Sequence, residues 1–127
     1  MEIGLQSIKK EEKPILRNLL ELYQYDFSEF EGGDVGDQGL FGYDDLDHYW
    51  TEPGRFAFFI HCDSQLAGFA LVRDIPDGSD GVAHVMAEYF VLRKYRRKHV
   101  GQTAARLIFD LFPGRWRVAQ ESCNHPA

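Results

Sequence analysis

Lysine and arginine are missing from the whole stretch between Asn18 and Gly54, which nonetheless carries Glu21, Asp26, Glu29, Glu31, Asp34, Asp37, Asp44, Asp45, Asp47 and Glu52. The formal net charge is −6. A chain without a cationic surplus cannot neutralise a row of phosphates, so no nucleic-acid partner is expected. Cysteine is scarce, with only Cys62 and Cys123, too few for a disulfide framework. Long apolar runs are also absent. Phe56 to Ile60 and Leu66 to Val72 fall far short of the ~20 residues that span a bilayer, so no membrane partner is expected. The start, Met1-Glu2-Ile3-Gly4, lacks a basic segment followed by an apolar one, so no secretory signal is expected. His48, His61, His84, His99 and His125 stand at no zinc-ligand spacing, and no metal is expected. Together these gaps predict a cytoplasmic protein with two reduced thiols. Its 127 residues, 44% hydrophobic and 14% aromatic, are enough for one domain with a real core.

Ile3, Leu5 and Ser7 alternate with small or polar neighbours as a half-buried strand does, and Lys9 to Lys13 reads as a turn. Pro14 can open a helix whose apolar set is Ile15, Leu16, Leu19, Leu20, Leu22 and Tyr23, fraying near Tyr25 or Asp26. A glycine-marked loop follows. Asp44 to Trp50 then reads as a short second helix with an acidic cap, closed by Pro53-Gly54. Phe56 to His61 and Leu66 to Arg73 form a tight hairpin through Asp63-Ser64-Gln65, apolar on nearly every position, so both faces should be covered. Asp74 to Gly81 reads as a loop. His84 to Leu92 is a strand, Val100 to Phe112 a helix stopped by Pro113-Gly114, and Trp116 to Gln120 a last strand. The hairpin implies antiparallel pairing and the strand–helix–strand end implies a parallel crossover. The expected fold is a mixed α/β domain.

Charge and shape coincide at one place. Five of the 14 basic residues, Arg93, Lys94, Arg96, Arg97 and Lys98, lie between a buried strand and a helix start. A helix N-terminus offers unpaired N–H groups and about half a positive charge, which suits an anion. Gly101, Thr103, Ala104 and Ala105 are small enough for phosphates to approach the backbone. The segment has neither the Lys-Ser/Thr pair of a P-loop nor the triple-glycine spacing of a dinucleotide fingerprint. A basic turn capping a surface helix is the alternative reading.

The run from Val91 to Gly101 resembles motif A of the Gcn5-related N-acetyltransferases, a Gln/Arg-x-x-Gly-x-Gly/Ala turn that binds the pyrophosphate of coenzyme A. Arg96, His99 and Gly101 stand at the motif positions, with histidine where glycine is preferred. If that position needs a positive φ, histidine costs about 1–2 kcal/mol more than glycine. Upstream, the order of helix, acidic loop, short helix and hairpin also follows the family, so the likeness covers essentially the whole chain. It implies an acyl-CoA N-acyltransferase fold, a mixed central sheet with helices on both faces, and acetyl-CoA as co-substrate. In the family another helix, opened by Asn-x-x-Ala, and two closing strands follow. The sequence here ends at Asn124-His125-Pro126-Ala127, so the expectation is a single domain over 1–127 without that part, completed as a homodimer through Trp116 to Cys123.

The resemblance implies coenzyme contacts at Phe90, Val91, Leu92, Arg96, Arg97, Lys98, His99, Val100, Gly101 and Gln102, with an oxyanion donor near Val91. Acetyl transfer to an amine also needs a proton acceptor, and Glu88 is the acid inside the coenzyme-binding strand. A solvent-facing or arginine-paired Glu88 is the alternative. The helices that wall the acceptor pocket in the family here carry Tyr23, Tyr25, Asp26, Ser28, Glu29, Tyr49 and Trp50. Aromatic rings beside carboxylates suit a cationic amine, and Tyr25, Asp26, Glu29 and Trp50 are the acceptor candidates. The expected activity is transfer of acetyl from acetyl-CoA to a primary amine of a small molecule or protein. A noncatalytic acyl-CoA-binding or interaction module, completed by a partner chain, is the contrasting reading.

Overall fold

A computed structural model of the chain describes residues 1–30, 33–78 and 81–117. The elements run β1 (Ile3–Ser7), α1 (Lys13–Phe27), α2 (His48–Thr51), β2 (Arg55–Cys62), β3 (Gln65–Asp77), β4 (Gly81–Val91), α3 (Val100–Leu111) and β5 (Trp116–Arg117). Short 3-10 turns precede α1 at Lys10–Glu12 and follow β4 at Arg93–Tyr95. The sheet order is β1-β2-β3-β4-β5. The first four strands are antiparallel neighbours, while β5 pairs parallel to β4 through His84↔Trp116 and Val85↔Arg117. The mixed sheet anticipated from the sequence is therefore present.

Period-2 alternation in β2 and β3 explains why these strands are apolar on both sides. Ala57, Phe59, Phe69 and Leu71 face α1, whose Leu16, Leu19 and Leu20 are buried there. Phe58, Ile60, Ala67, Ala70 and Val72 face the other way, under Val100, Ala104 and Ile108 of α3. One helix covers each face, and each fully buried leucine or isoleucine contributes about 1.5–3 kcal/mol. The helical stripes are narrower than the sequence implied. Ile15 and Leu22 of α1 lie exposed, since they sit beyond the arc that reaches the sheet, and Leu111 at the end of α3 is exposed as well.

Three boundaries differ from expectation. The helix read over Asp44 to Trp50 is only His48–Thr51, because Asp44 to Asp47 is a turn in which Asp45 takes a positive φ of 63°. α1 runs on to Phe27. The stretch Asp74 to Gly81, expected as a loop, is mostly ladder: Asp74↔His84, Ile75↔Ala83, Pro76↔Val82 and Asp77↔Gly81 are paired. Pro76 is tolerated because β3 has no β2 neighbour beyond Arg73. Asp77 pairs with Arg115 at 2.9 Å and with Arg117, tying the end of this hairpin to β5. Of the last strand read over Trp116 to Gln120, residues 118–120 lie outside the described residues, as do Cys123, Asn124 and His125.

Gly68 lets β3 lie against the end of β4. A Cβ there would sit 2.0 Å from the Phe90 carbonyl oxygen and 3.0 Å from the Val91 Cα, and backbone cannot step aside cheaply. Gly68→Ala is expected to lower unfolding free energy by about 3 kcal/mol in a denaturant titration. A loss within experimental error would show that the two strands separate freely at this point.

Candidate active site

Glu88 shares a face of β4 with Phe90, and a β-bulge lies directly before it. Leu71 pairs with Glu88 but the next residue, Val72, pairs with Met86, so Ala87 is the extra residue in β4. Paired residues share a face. Met86 packs on the α3 side, whereas Ala87 joins the α1 side and Glu88 stands opposite Leu71 on that same side. From Glu88 to Phe90 the strand alternates regularly, and the extra residue at Ala87 reverses the alternation for the part of β4 before it, which puts Met86 on the α3 side.

On the α1 side Glu88 accepts two phenol hydrogen bonds, from Tyr23 at 2.9 Å on Oε1 and from Tyr43 at 2.7 Å on Oε2. Burial and then the Glu88 charge push the Tyr43 phenol well above its ordinary value, so it stays protonated and donates. The surrounding cleft, about 250 Å³, is lined by Tyr23, Gln24, Phe27, Gly33, Phe41, Tyr43 and Glu88. Residues 41–43 are strapped to α1. Glu21 accepts the N–H groups of Phe41 and Gly42, both at 2.8 Å, and the Gln24 amide donates to the Gly42 carbonyl at 2.7 Å. Tyr43→Phe is expected to cost about 1.5–3 kcal/mol in a denaturant titration, the value of a hydrogen bond to a charged group. An unchanged midpoint would show that water replaces the phenol without loss.

The opposite face of β4 carries the second cleft, about 530 Å³, lined by Tyr89, Val91, Arg96, Arg97, His99, Gly101, Gln102 and Ala105. Its rim is the basic turn, in which Arg97 and His99 take positive φ angles of 67° and 62°. His99 caps α3 in the left-handed region, the geometry for which glycine is preferred at that position. The first helical bond of α3 runs from the Thr103 N–H to the His99 carbonyl at 3.0 Å, so the N–H groups of Val100, Gly101 and Gln102 precede the intrahelical ladder. Tyr89 donates its hydroxyl to the Gly101 carbonyl. Burial pushes that phenol up to about 12, a hydrogen bond with the Ala105 backbone offsetting part of the rise, so it remains a donor near neutrality.

The sequence-derived residues divide accordingly. Val91, Arg96, Arg97, His99, Gly101 and Gln102 come together at the second cleft. Phe90 and Leu92 instead pack on the α1 side, Val100 is fully buried beneath α3, and Lys98 is exposed outside the lining. None of Tyr25, Asp26, Glu29 and Trp50 lines the acidic cleft. Tyr25 and Glu29 point to solvent, Trp50 donates to the Ile8 carbonyl at 2.9 Å, and Asp26 pairs with Arg93 and Arg96. Besides Tyr23 and Glu88, the lining of that cleft consists of Tyr43, Phe41, Gln24, Phe27 and Gly33. Sequence spacing could not have found them, since Tyr43 and Phe41 reach Glu88 from a loop held by Glu21. Among the described residues no cluster of His, Cys, Asp and Glu could hold a metal ion, and no helix is long and apolar enough to cross a membrane.

The family described as acetyltransferase (GNAT) matches residues 16–127. Solved structures share the fold. A ribosomal-protein-alanine N-acetyltransferase from Brucella melitensis superposes with a TM-score of 0.68 at 18% identity, covering 93% of this chain and 77% of that one. An aminoglycoside antibiotic 6'-N-acetyltransferase from Acinetobacter baumannii gives 0.66 at 14%, covering 97% and 82%. A predicted acetyltransferase with acetyl-CoA from Clostridium acetobutylicum gives 0.67 at 8%, covering 95% and 82%. No curated protein matches the chain.

Proposed function

The chain belongs to the acetyltransferase (GNAT) family, and on that premise we propose that it transfers acetyl from acetyl-coenzyme A to a primary amine of a small molecule or protein. The observation that carries this reading is the division of β4, which turns Glu88 into an aromatic cleft on one face and Tyr89 and Val91 into a basic-rimmed cleft on the other. The second cleft fits a pyrophosphate. The N–H groups of Val100, Gly101 and Gln102 point out of a helix N-terminus, Gly101 carries no side chain to cover them, and the exposed Arg97 and Lys98 add positive charge nearby.

Bound there, the coenzyme supplies an acyl thioester. Among the described residues β4 has no strand beyond Val85 on the side away from β3, so its backbone between Glu88 and Val91 is open to a group passing from one face to the other. The ring faces of Tyr23, Phe27, Phe41 and Tyr43 and the Glu88 carboxylate favour a cationic amine in the first cleft. Glu88 takes a proton from the ammonium, directly or through one water, freeing the nitrogen lone pair for the carbonyl carbon. A backbone N–H near Val91 steadies the oxygen as it gains charge. As the carbon–sulfur bond breaks, the thiolate leaves with the electron pair, and the second proton of the attacking nitrogen passes through water to the sulfur, leaving a neutral amide and a free thiol.

Two of the three solved structures named above are a ribosomal-protein-alanine and an aminoglycoside N-acetyltransferase, so the decisive assay presents both kinds of amine. Free thiol is expected to appear only when acetyl-CoA and an accepted amine are both present, with the amine gaining one acetyl group by mass. Coenzyme binding without thiol release across peptides, aminoglycosides and polyamines would replace the transferase with an acyl-CoA-binding module.

A further inference from the structure

The arginine at the head of the phosphate turn is not held out for phosphate. Arg96 donates Nε–H to the Val91 carbonyl at 2.8 Å and a terminal N–H to Asp26 Oδ2 at 2.7 Å, and its guanidinium lies 5.5 Å from the Phe90 ring centre. Arg93 adds two bonds to Asp26 Oδ1, at 3.0 and 2.5 Å. Asp26 belongs to the last turn of α1 and is buried, with only 9% of its surface exposed. Burial alone would raise its carboxyl, but the hydrogen bonds and charges of Arg93 and Arg96 outweigh it and hold the group below its ordinary value.

Two non-glycine residues in the left-handed region, Arg97 and His99, follow directly on Arg96. Such a conformation persists only where its surroundings over-determine it. The ties from Arg96 to the end of β4 and to α1 are the restraints next to this turn.

We propose that Asp26 is a positioning residue for the coenzyme: by clamping Arg93 and Arg96 it fixes the strained turn that presents the N–H groups of α3. The proposal rests on the coenzyme reading above. Simple electrostatics gives the opposite sign. If Asp26 merely neutralised two cations beside an anion site, removing its charge would free them and tighten binding.

The test is calorimetric titration of coenzyme A into the full chain. Asp26→Asn and Arg96→Met are each expected to weaken binding about tenfold, the double variant to be no weaker than either single one, and Asp26→Glu to restore most of the affinity. Equal or tighter binding by Asp26→Asn would overturn the proposal. Should Asp26→Asn not fold, Arg96→Met carries the same expectation and the same refutation. Hydrogen exchange reads the clamp without ligand, at the bonded amides of Tyr95, Arg96 and Thr103. Faster exchange there in Asp26→Asn, with β2 and β3 unchanged, supports the clamp, and unchanged exchange overturns it. A wild-type chain that binds no coenzyme A would refute the coenzyme reading itself, while this exchange arm would still decide the role of Asp26.

Discussion

Gly101→Val is expected to weaken coenzyme A binding by at least about 100-fold, or roughly 2.7 kcal/mol. A Cβ at this position meets Val91 Cγ2 at 3.6 Å and the Tyr89 hydroxyl and ring at 3.9 and 4.0 Å, so one methyl fits in ordinary contact. Alanine is therefore expected to bind nearly normally. The two further methyls of valine must either press on Val91 and Tyr89 or stand over the N–H groups that would face the phosphates. Valine is a better helix former than glycine, so the loss should not come from unfolding of α3. Calorimetric titration measures it, with the melting temperature as control. Normal binding by Gly101→Val would place the phosphates away from this turn.

Glu88→Gln is expected to lower turnover about 100-fold at neutral pH while leaving coenzyme affinity intact, the ordinary worth of a positioned general base. The amide keeps the size of the side chain and an oxygen for Tyr23, while Tyr43 must turn its hydroxyl to accept, so the cleft should survive. The cleft proposed for the coenzyme lies across the sheet, next to Tyr89 and Val91, so affinity has no reason to change. The deficit should shrink as pH rises toward the amine's own pKa, about 10.4 for a lysine side chain, because the acceptor then arrives without the proton that Glu88 removes. A deficit that is constant across pH would retire Glu88 as the base and leave it a tyrosine-bonded structural carboxylate.

The basic-rimmed cleft at the start of α3 was legible because it is local. A strand, a basic turn and a helix start follow one another within about a dozen residues, and chain connectivity alone brings Val91 beside Gly101. Even the cost of histidine at the αL position could be stated in advance, and His99 does adopt φ 62°. Side-chain direction was less legible. Phe90 and Leu92 alternate away from the cleft with the period of the strand, and Val100 turns inward with the period of the helix.

The cleft around Glu88 was hidden for a different reason. Tyr23 and Tyr43 meet Glu88 across 65 and 45 residues, and spacing along the chain does not show which residues of a distant helix and loop come against one strand. Asp26 reaches Arg93 and Arg96 across 67 and 70 residues, so a carboxylate that looked available for an amine is already occupied. The stretch without Lys and Arg between Asn18 and Gly54 supplies Tyr23, Gln24, Phe27, Phe41 and Tyr43 to the cleft around Glu88, whereas Tyr25, Asp26, Glu29 and Trp50 lie outside its lining. The stretch from Asp74 to Gly81 misled because its turn-forming composition fits a loop, whereas the pairing of β3 with β4 carries the strand through it.

Where acetyl-CoA binds is the central question. The measurement is a titration of acetyl-CoA into isotope-labelled protein, followed through backbone amide resonances. The predicted result is saturable shifts concentrated at Val91 and from Arg97 to Gln102, with a smaller response at Glu88 and Tyr43 where the thioester would reach the other face. No shifts at millimolar acetyl-CoA, or shifts centred on a surface away from the start of α3, would contradict it.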